Sequence, residues 1–256
     1  MKRARFLVDG RVEEGVLSEP GVLVDSTGAS HAEDAVVFLP PVVPGKIVGL
    51  ALNYADHAAE LEFAEPPKEP ALFFKADNTL TGHGSPVVYP DGVDYMHYEV
   101  ELAAVIGRTC RRARADDAYD LILGYTIAND VTIRDFVGNF YRPPVRAKGW
   151  DTFLPLGPYL VEDEIDDPGS VGLRTYVNGE LRQEGNTSDL VWTIPELVEF
   201  ITSFMTLNPG DVILTGTPRG ISHVFPGDVM RLEVDGLGAL ENPVVAETPG
   251  AEARAA

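Results

Sequence analysis

The stretch Asp94-Tyr-Met-His-Tyr-Glu99-Val-Glu101-Leu-Ala-Ala-Val-Ile-Gly107 constrains the chain most, because it sets two carboxylates one residue apart at the head of an apolar run. Leu102 to Ile106 calls for burial, and an apolar run this short, closed by Gly107, reads as a strand. Side chains at i and i+2 of a strand share a face, so Glu99 and Glu101 stand together while Val100 points the other way, into packing. Like charges at that spacing repel, and the apolar run beside them threatens to desolvate both. A hard divalent cation such as Mg²⁺, Mn²⁺ or Ca²⁺ relieves both penalties, since carboxylate oxygens are its preferred ligands. A solvated strand face accommodates the same pair, so the rest of the chain has to decide between them.

At 256 residues and 45% hydrophobic content the chain can bury a substantial core, suiting one domain plus a small accessory unit. Forty acidic residues against twenty Lys and Arg give a formal charge of −20, which argues against nucleic acid or an anionic membrane as partner. An anionic substrate would then need local cations or a metal. The single cysteine, Cys110, excludes an internal disulfide framework, and with no long apolar span or leader read in the sequence the expected compartment is the cytoplasm.

Residues 1–45 alternate short apolar runs with turn signals and are expected to form a small N-terminal β unit. A catalytic domain is expected over 46–248 and a disordered tail over 249–256. Lys46 to Leu52 reads as a buried strand leading to a short helix that Asn53 or Asp56 can cap. On that helix His57 and Glu60, at i and i+3, share a face, where the carboxylate can orient the imidazole as a general base on water; a plain surface pair fits the spacing too. The helix and the proline-rich turn after it can form a lid. Lys75, at the polar end of an apolar strand, is either solvated or a cation for an anionic ligand. Asp130 interrupts the strand Tyr125 to Asn129 and is either a third metal ligand or a helix cap. Tyr141, Arg142, Arg146 and Lys148 gather on one loop, which in so acidic a chain suits an anion pocket.

Further on, Asn178-Gly179 marks a type I′ hairpin, and Leu197, Val198, Ile201 and Met205 place an amphipathic helix over 194–205, which Thr187 to Asp189 can cap. The glycine loop Thr215-Gly-Thr217-Pro218 can hold a carboxylate through Thr217 and backbone N–H groups. It is not a phosphate loop, lacking the Gly-Lys-Ser/Thr that would complete one.

The ordered set Asn53-Tyr-x-x-His57-x-x-Glu60, Phe74-Lys75, Glu99-x-Glu101, Asn129-Asp130, Lys148-x-x-Asp151, Asn178-Gly179 and Leu207 to Pro218 resembles the fumarylacetoacetate hydrolase superfamily, over roughly residues 45–246. The resemblance implies a mainly β fold with a few short helices (α+β), a mixed β roll, usually a homodimer. It implies that Glu99, Glu101 and Asp130 hold one Mg²⁺ or Mn²⁺, with Lys148 beside the metal, His57 and Glu60 as a lid dyad and Thr217 touching substrate. Leu52 to Phe63, Asn78 to Gly82, Tyr95 to Glu99, Tyr141 to Pro143 and Val177 to Gln183 are most similar to homoprotocatechuate-pathway members. Those act as 2-hydroxyhepta-2,4-diene-1,7-dioate isomerase and 5-oxopent-3-ene-1,2,5-tricarboxylate decarboxylase. The implied ligand is a small 2-oxo acid that chelates the metal as an enolate forms, with Lys75, Arg142 or Arg146 meeting its distal carboxylate and His57, then Lys148, as proton carrier. Lys148 to Pro158 resembles acylpyruvase-type members instead, so a carbon–carbon hydrolase is the alternative reading. A non-catalytic metal- or ligand-binding β protein is the remote one.

Overall fold

The computed structural model describes residues 1–56, 68–137 and 143–248. Its centre is the strand Val100–Ile106, buried along its whole length. Alternation divides its side chains between two cores. Val100, Leu102, Ala104 and Ile106 enter the larger, with Leu173, Met230 and Leu232 of a second sheet and Ile194, Leu197, Val198 and Ile201 of a helix. Ala103 and Val105 enter a smaller one with Leu154, Leu156 and Leu214. A strand covered on both faces has no solvated side on which to leave a carboxylate pair.

Among the described residues this strand belongs to a 12-stranded sheet. The order across it is Ser30–Ala32, Val22–Asp25, Arg11–Glu19, Lys2–Val8, Leu154–Val161, Ile122–Asn129, Val100–Ile106, Val212–Leu214, Ile47–Ala51 and Ala71–Lys75. Val37–Leu39 and Leu80–Thr81 pair with it off this path. The expected N-terminal strands are present, and Lys2–Val8 pairs antiparallel with Leu154–Val161, which carries them into the main sheet. Most pairs are antiparallel; Val212–Leu214 runs parallel to Ile47–Ala51, which makes the sheet mixed. A five-stranded sheet packs against it, ordered Glu180–Asn186, Gly172–Val177, Val229–Val234, Gly238–Ala246 and Val87–Tyr89.

The hairpin turns at Asn178 and Gly179 with φ of 52° and 81°, the two positive angles that a type I′ turn requires. The helix spans Ile194–Phe204 and buries Leu197, Val198 and Ile201 of the expected face, while Met205, expected on it too, is the half-buried residue that follows the last turn. Its cap is not where the sequence put it. Thr187–Asp189 forms a 3-10 turn of its own, in which Asn186 Oδ1 accepts from the Ser188 N–H at 2.9 Å. The helix starts instead at Thr193, whose N–H and hydroxyl both donate to Glu196, at 2.8 and 2.7 Å. The cap therefore belongs to the residue beside the apolar stripe, three positions ahead of a glutamate.

Candidate metal centre

Glu99 immediately precedes the central strand, Glu101 is its second residue, and Asp130 follows the end of the adjacent strand Ile122–Asn129. Antiparallel register places Val100 opposite Asn129, and the Asp130 N–H donates to Glu99 O at 2.9 Å. Sequence neighbours and a residue thirty positions away thus converge at one corner of the sheet. One carboxylate oxygen from each of Glu99, Glu101 and Asp130 lies within 4.8 Å of the others, and all three residues are buried.

Among the described residues, two lysines enter this cluster. Lys148 Nζ donates to Glu99 Oε2 at 2.8 Å, Asp130 Oδ2 at 2.5 Å and Thr132 Oγ1 at 2.7 Å. Lys75 Nζ donates to Asp130 Oδ1 at 2.6 Å, Phe153 O at 2.8 Å and Val131 O at 3.4 Å. Burial lowers the basicity of both. For Lys148, Asp130 and Glu99 outweigh burial and hold the ammonium above its ordinary range. For Lys75, burial wins over Asp130 and the balance is downward. Burial, then Asp130 and Glu99, push the Glu101 carboxyl well above the usual carboxylate range. Hard oxygen donors and close spacing together fit a divalent cation.

The structure corrects the assignment of Lys75 to a substrate's distal carboxylate. Its side chain is fully buried and all three ammonium hydrogens are committed to protein acceptors, so it serves Asp130 from behind. Arg146 lies on the one-turn helix Val145–Lys148, exposed, with its guanidinium carbon 3.8 Å from the Phe136 ring centroid. It is held by that ring, whereas Lys148, two residues on, turns into the triad. His57, Glu60, Tyr141 and Arg142 lie outside the described residues, as does the tail 249–256.

The glycine loop completes the cluster. The Gly216 N–H donates to Glu101 Oε2 at 2.7 Å. Gly216 has φ of 96°, and a Cβ there would come within 2.8 Å of Asn53 Cβ. Thr217, the next residue, is buried and its hydroxyl accepts from Gln183 at 2.7 Å. Asn53, expected with Asp56 as one of two alternative helix caps, is instead a clamp. Its amide donates to Thr215 O at 2.8 Å and Trp192 O at 3.1 Å and accepts from the Trp192 N–H at 2.8 Å. His97, read in the sequence only as part of the Tyr95 to Glu99 motif, carries no site role there. It is fully buried, with Nδ1 3.2 Å from Tyr98 O and 3.6 Å from Glu99 Oε1, and burial holds it down to about 3, hence neutral.

Two packed β sheets with a buried three-carboxylate corner define a β-rich protein whose cluster has the donor chemistry that fits a hard divalent cation. The Fumarylacetoacetate (FAA) hydrolase C-terminal family matches residues 46–245. The chain belongs to the fumarylacetoacetate hydrolase family, as its motifs led one to expect. It is 51% identical over 246 residues to a 4-hydroxyphenylacetate degradation bifunctional isomerase/decarboxylase of Salmonella dublin, covering 96% of this chain and 56% of that protein. The chain spans about half the length of the bifunctional relatives it matches. Among solved structures, 5-carboxymethyl-2-hydroxymuconate delta-isomerase from Mycobacterium smegmatis superposes with a TM-score of 0.86 at 40% identity, covering 97% of this chain and 100% of that one. A maleylpyruvate hydrolase from Sphingobium, in complex with manganese(II) and pyruvate, gives 0.83 at 30% identity, covering 97% and 100%.

Proposed function

We propose that the chain is a divalent-metal-dependent isomerase/decarboxylase acting on an unsaturated 2-oxo (2-hydroxy-diene) dicarboxylate or tricarboxylate in the breakdown of aromatic compounds. The observation that carries this reading is the buried triad Glu99, Glu101 and Asp130, its oxygens within 4.8 Å of one another. The names of the Salmonella dublin and Mycobacterium smegmatis relatives support the reaction class.

Glu99, Glu101 and Asp130 would hold Mg²⁺ or Mn²⁺, and that ion would supply Lewis-acid polarisation of the carboxylate and 2-oxo oxygens of a bound oxo acid. The remaining roles belong to side chains. Lys148 balances charge beside the reacting oxygens; with its hydrogens directed at Glu99, Asp130 and Thr132, it is arranged as a donor. Gly216 holds Glu101 in place. Thr217 donates to the substrate carboxylate, and Tyr141, Arg142 and Arg146 meet the distal end. His57, oriented by Glu60, carries the proton of the isomerase step. A homodimer and a cytoplasmic location complete the proposal. Among the described residues no helix is long and apolar enough to cross a membrane.

A hydrolase of acylpyruvates is the second reading, favoured by the likeness to the maleylpyruvate hydrolase. In it His57 and Glu60 activate water against a carbon–carbon bond. Incubating purified protein and Mg²⁺ with the tricarboxylate, the heptadienedioate and an acylpyruvate, while following ultraviolet absorbance and CO₂ release, separates the two. Turnover of the first two supports the isomerase/decarboxylase; turnover of acylpyruvate alone replaces it with the hydrolase.

A further inference from the structure

Gln183 lies on the strand Glu180–Asn186, is 1% exposed, and makes four hydrogen bonds that join three elements. Its Nε2 donates to Thr217 Oγ1 at 2.7 Å and to Pro218 O at 2.6 Å. Its Oε1 accepts from Thr175 Oγ1 at 3.0 Å and from the Val100 N–H at 3.3 Å. The amide cannot be turned over. Pro218 O only accepts and the Val100 N–H only donates, so the flipped amide would set oxygen against oxygen and N–H against N–H.

That orientation decides the polarity of Thr217. A hydroxyl has one hydrogen and can accept as well as donate. With Gln183 donating to it, the Thr217 oxygen is the acceptor of that bond and its hydrogen is left for another partner. Thr217 is only 3% exposed, and no hydrogen bond that it donates is found among the described residues. The same glutamine grips the backbone between Glu99 and Glu101, while Gly216, next to Thr217, holds Glu101. The hairpin comes close enough for this because Gly185 carries no Cβ; one would fall 2.4 Å from Pro218 Cβ.

We infer that Gln183 is a positioning residue that fixes Thr217 as a one-way hydrogen-bond donor, aimed at a carboxylate oxygen of the ligand and registered against the Glu99/Glu101 pair. This rests on the reading that an ionised oxo acid binds beside the triad. A glutamate at 183 reverses the polarity: it accepts from Thr217, draws the hydrogen away from the ligand, and faces Pro218 O with no donor.

The test is calorimetric titration of Mn²⁺-loaded protein with pyruvate, for wild type, Gln183→Glu, Thr217→Val and the double variant, with Mn²⁺ affinity measured separately. Gln183→Glu and Thr217→Val should each weaken pyruvate about ten- to a hundredfold, as expected for one lost hydrogen bond to a charged group. The double variant should be no weaker than Thr217→Val alone, and Mn²⁺ affinity should stay at the wild-type value. If Gln183→Glu does not melt cooperatively, Gln183→Met replaces it; Met donates nothing, lets the hydroxyl rotate, and should give a smaller loss that likewise vanishes in the Thr217→Val background. A loss that persists undiminished in that background, or wild-type affinity in Gln183→Glu, overturns the inference alone. Failure of the wild-type protein to bind pyruvate overturns the oxo-acid reading and the inference with it.

Discussion

Lys75 Nζ lies 2.6 Å from Asp130 Oδ1, and neither side chain is exposed to solvent. Removing one member of a buried ion pair strands the other, at a cost of about 3–5 kcal/mol. Lys75→Met should therefore lower the melting temperature by roughly 10 °C for a chain of this size. Added Mn²⁺ should recover more of that loss than it adds to the wild type, because a cation beside Asp130 takes over the missing charge. Equal Mn²⁺-induced shifts in the two proteins, measured by differential scanning fluorimetry, would count against the pairing.

Glu101→Gln replaces the carboxylate with a neutral side chain whose oxygen can still accept from Gly216. Burial, Asp130 and Glu99 all oppose the charge on Glu101. Under chelator the variant should melt at or above the wild-type temperature, while the upward shift on adding Mn²⁺ disappears. A lower melting point under chelator would show that this charge stabilises the fold without metal.

Gly216→Ala places a Cβ against Asn53 at a positive φ, at a cost on the order of 1–3 kcal/mol. The strain falls on the loop that holds Glu101, so Mn²⁺ affinity should fall as well. Thr193→Ala is the control: it removes part of a helix cap for about 1 kcal/mol and should leave Mn²⁺ affinity unchanged. Parallel melting curves and Mn²⁺ titrations on the two variants decide whether the loop effect is local.

His83 gives a pH dependence away from the metal centre. Its Nδ1 accepts from the Glu241 N–H at 3.0 Å, its ring meets Phe38 edge-on at 5.4 Å between centroids, and burial lowers its basicity. The unfolded chain takes up a proton here near pH 6.5, at which the folded chain still resists it, so this group lowers stability as pH falls below about 6.5. His83→Phe cannot titrate but leaves the Glu241 N–H without its acceptor, a loss of about 1 kcal/mol at pH 8. The stability gap between the two proteins should narrow from pH 8 to pH 5 in urea melts. A gap that widens on acidification would mean that His83 gains a proton more readily when folded.

What could be read in the sequence was what period and punctuation carry. The i, i+2 spacing of Glu99 and Glu101, the Asn178-Gly179 turn and the stripe of Leu197, Val198 and Ile201 are local patterns, and local geometry realises them. The missed features depend on partners far along the chain. Lys75 read as a solvated strand end or a cation for an anionic ligand until Asp130, fifty-five residues later, was brought against it. Asn53 resembled a cap, yet its amide serves Trp192 and Thr215. Gln183 gave no signal in the hairpin, since its bonds to Val100 and Thr217 exist only once three elements are packed.

The most direct test of the triad as a metal site is titration of Mn²⁺ into chelator-treated protein, wild type against Glu101→Ala, followed by calorimetry. Wild-type protein should bind a single Mn²⁺ per chain and Glu101→Ala none, with activity on every oxo acid tested lost in parallel. Glu101→Ala binding Mn²⁺ with wild-type stoichiometry and affinity would contradict the assignment of the triad as the metal site.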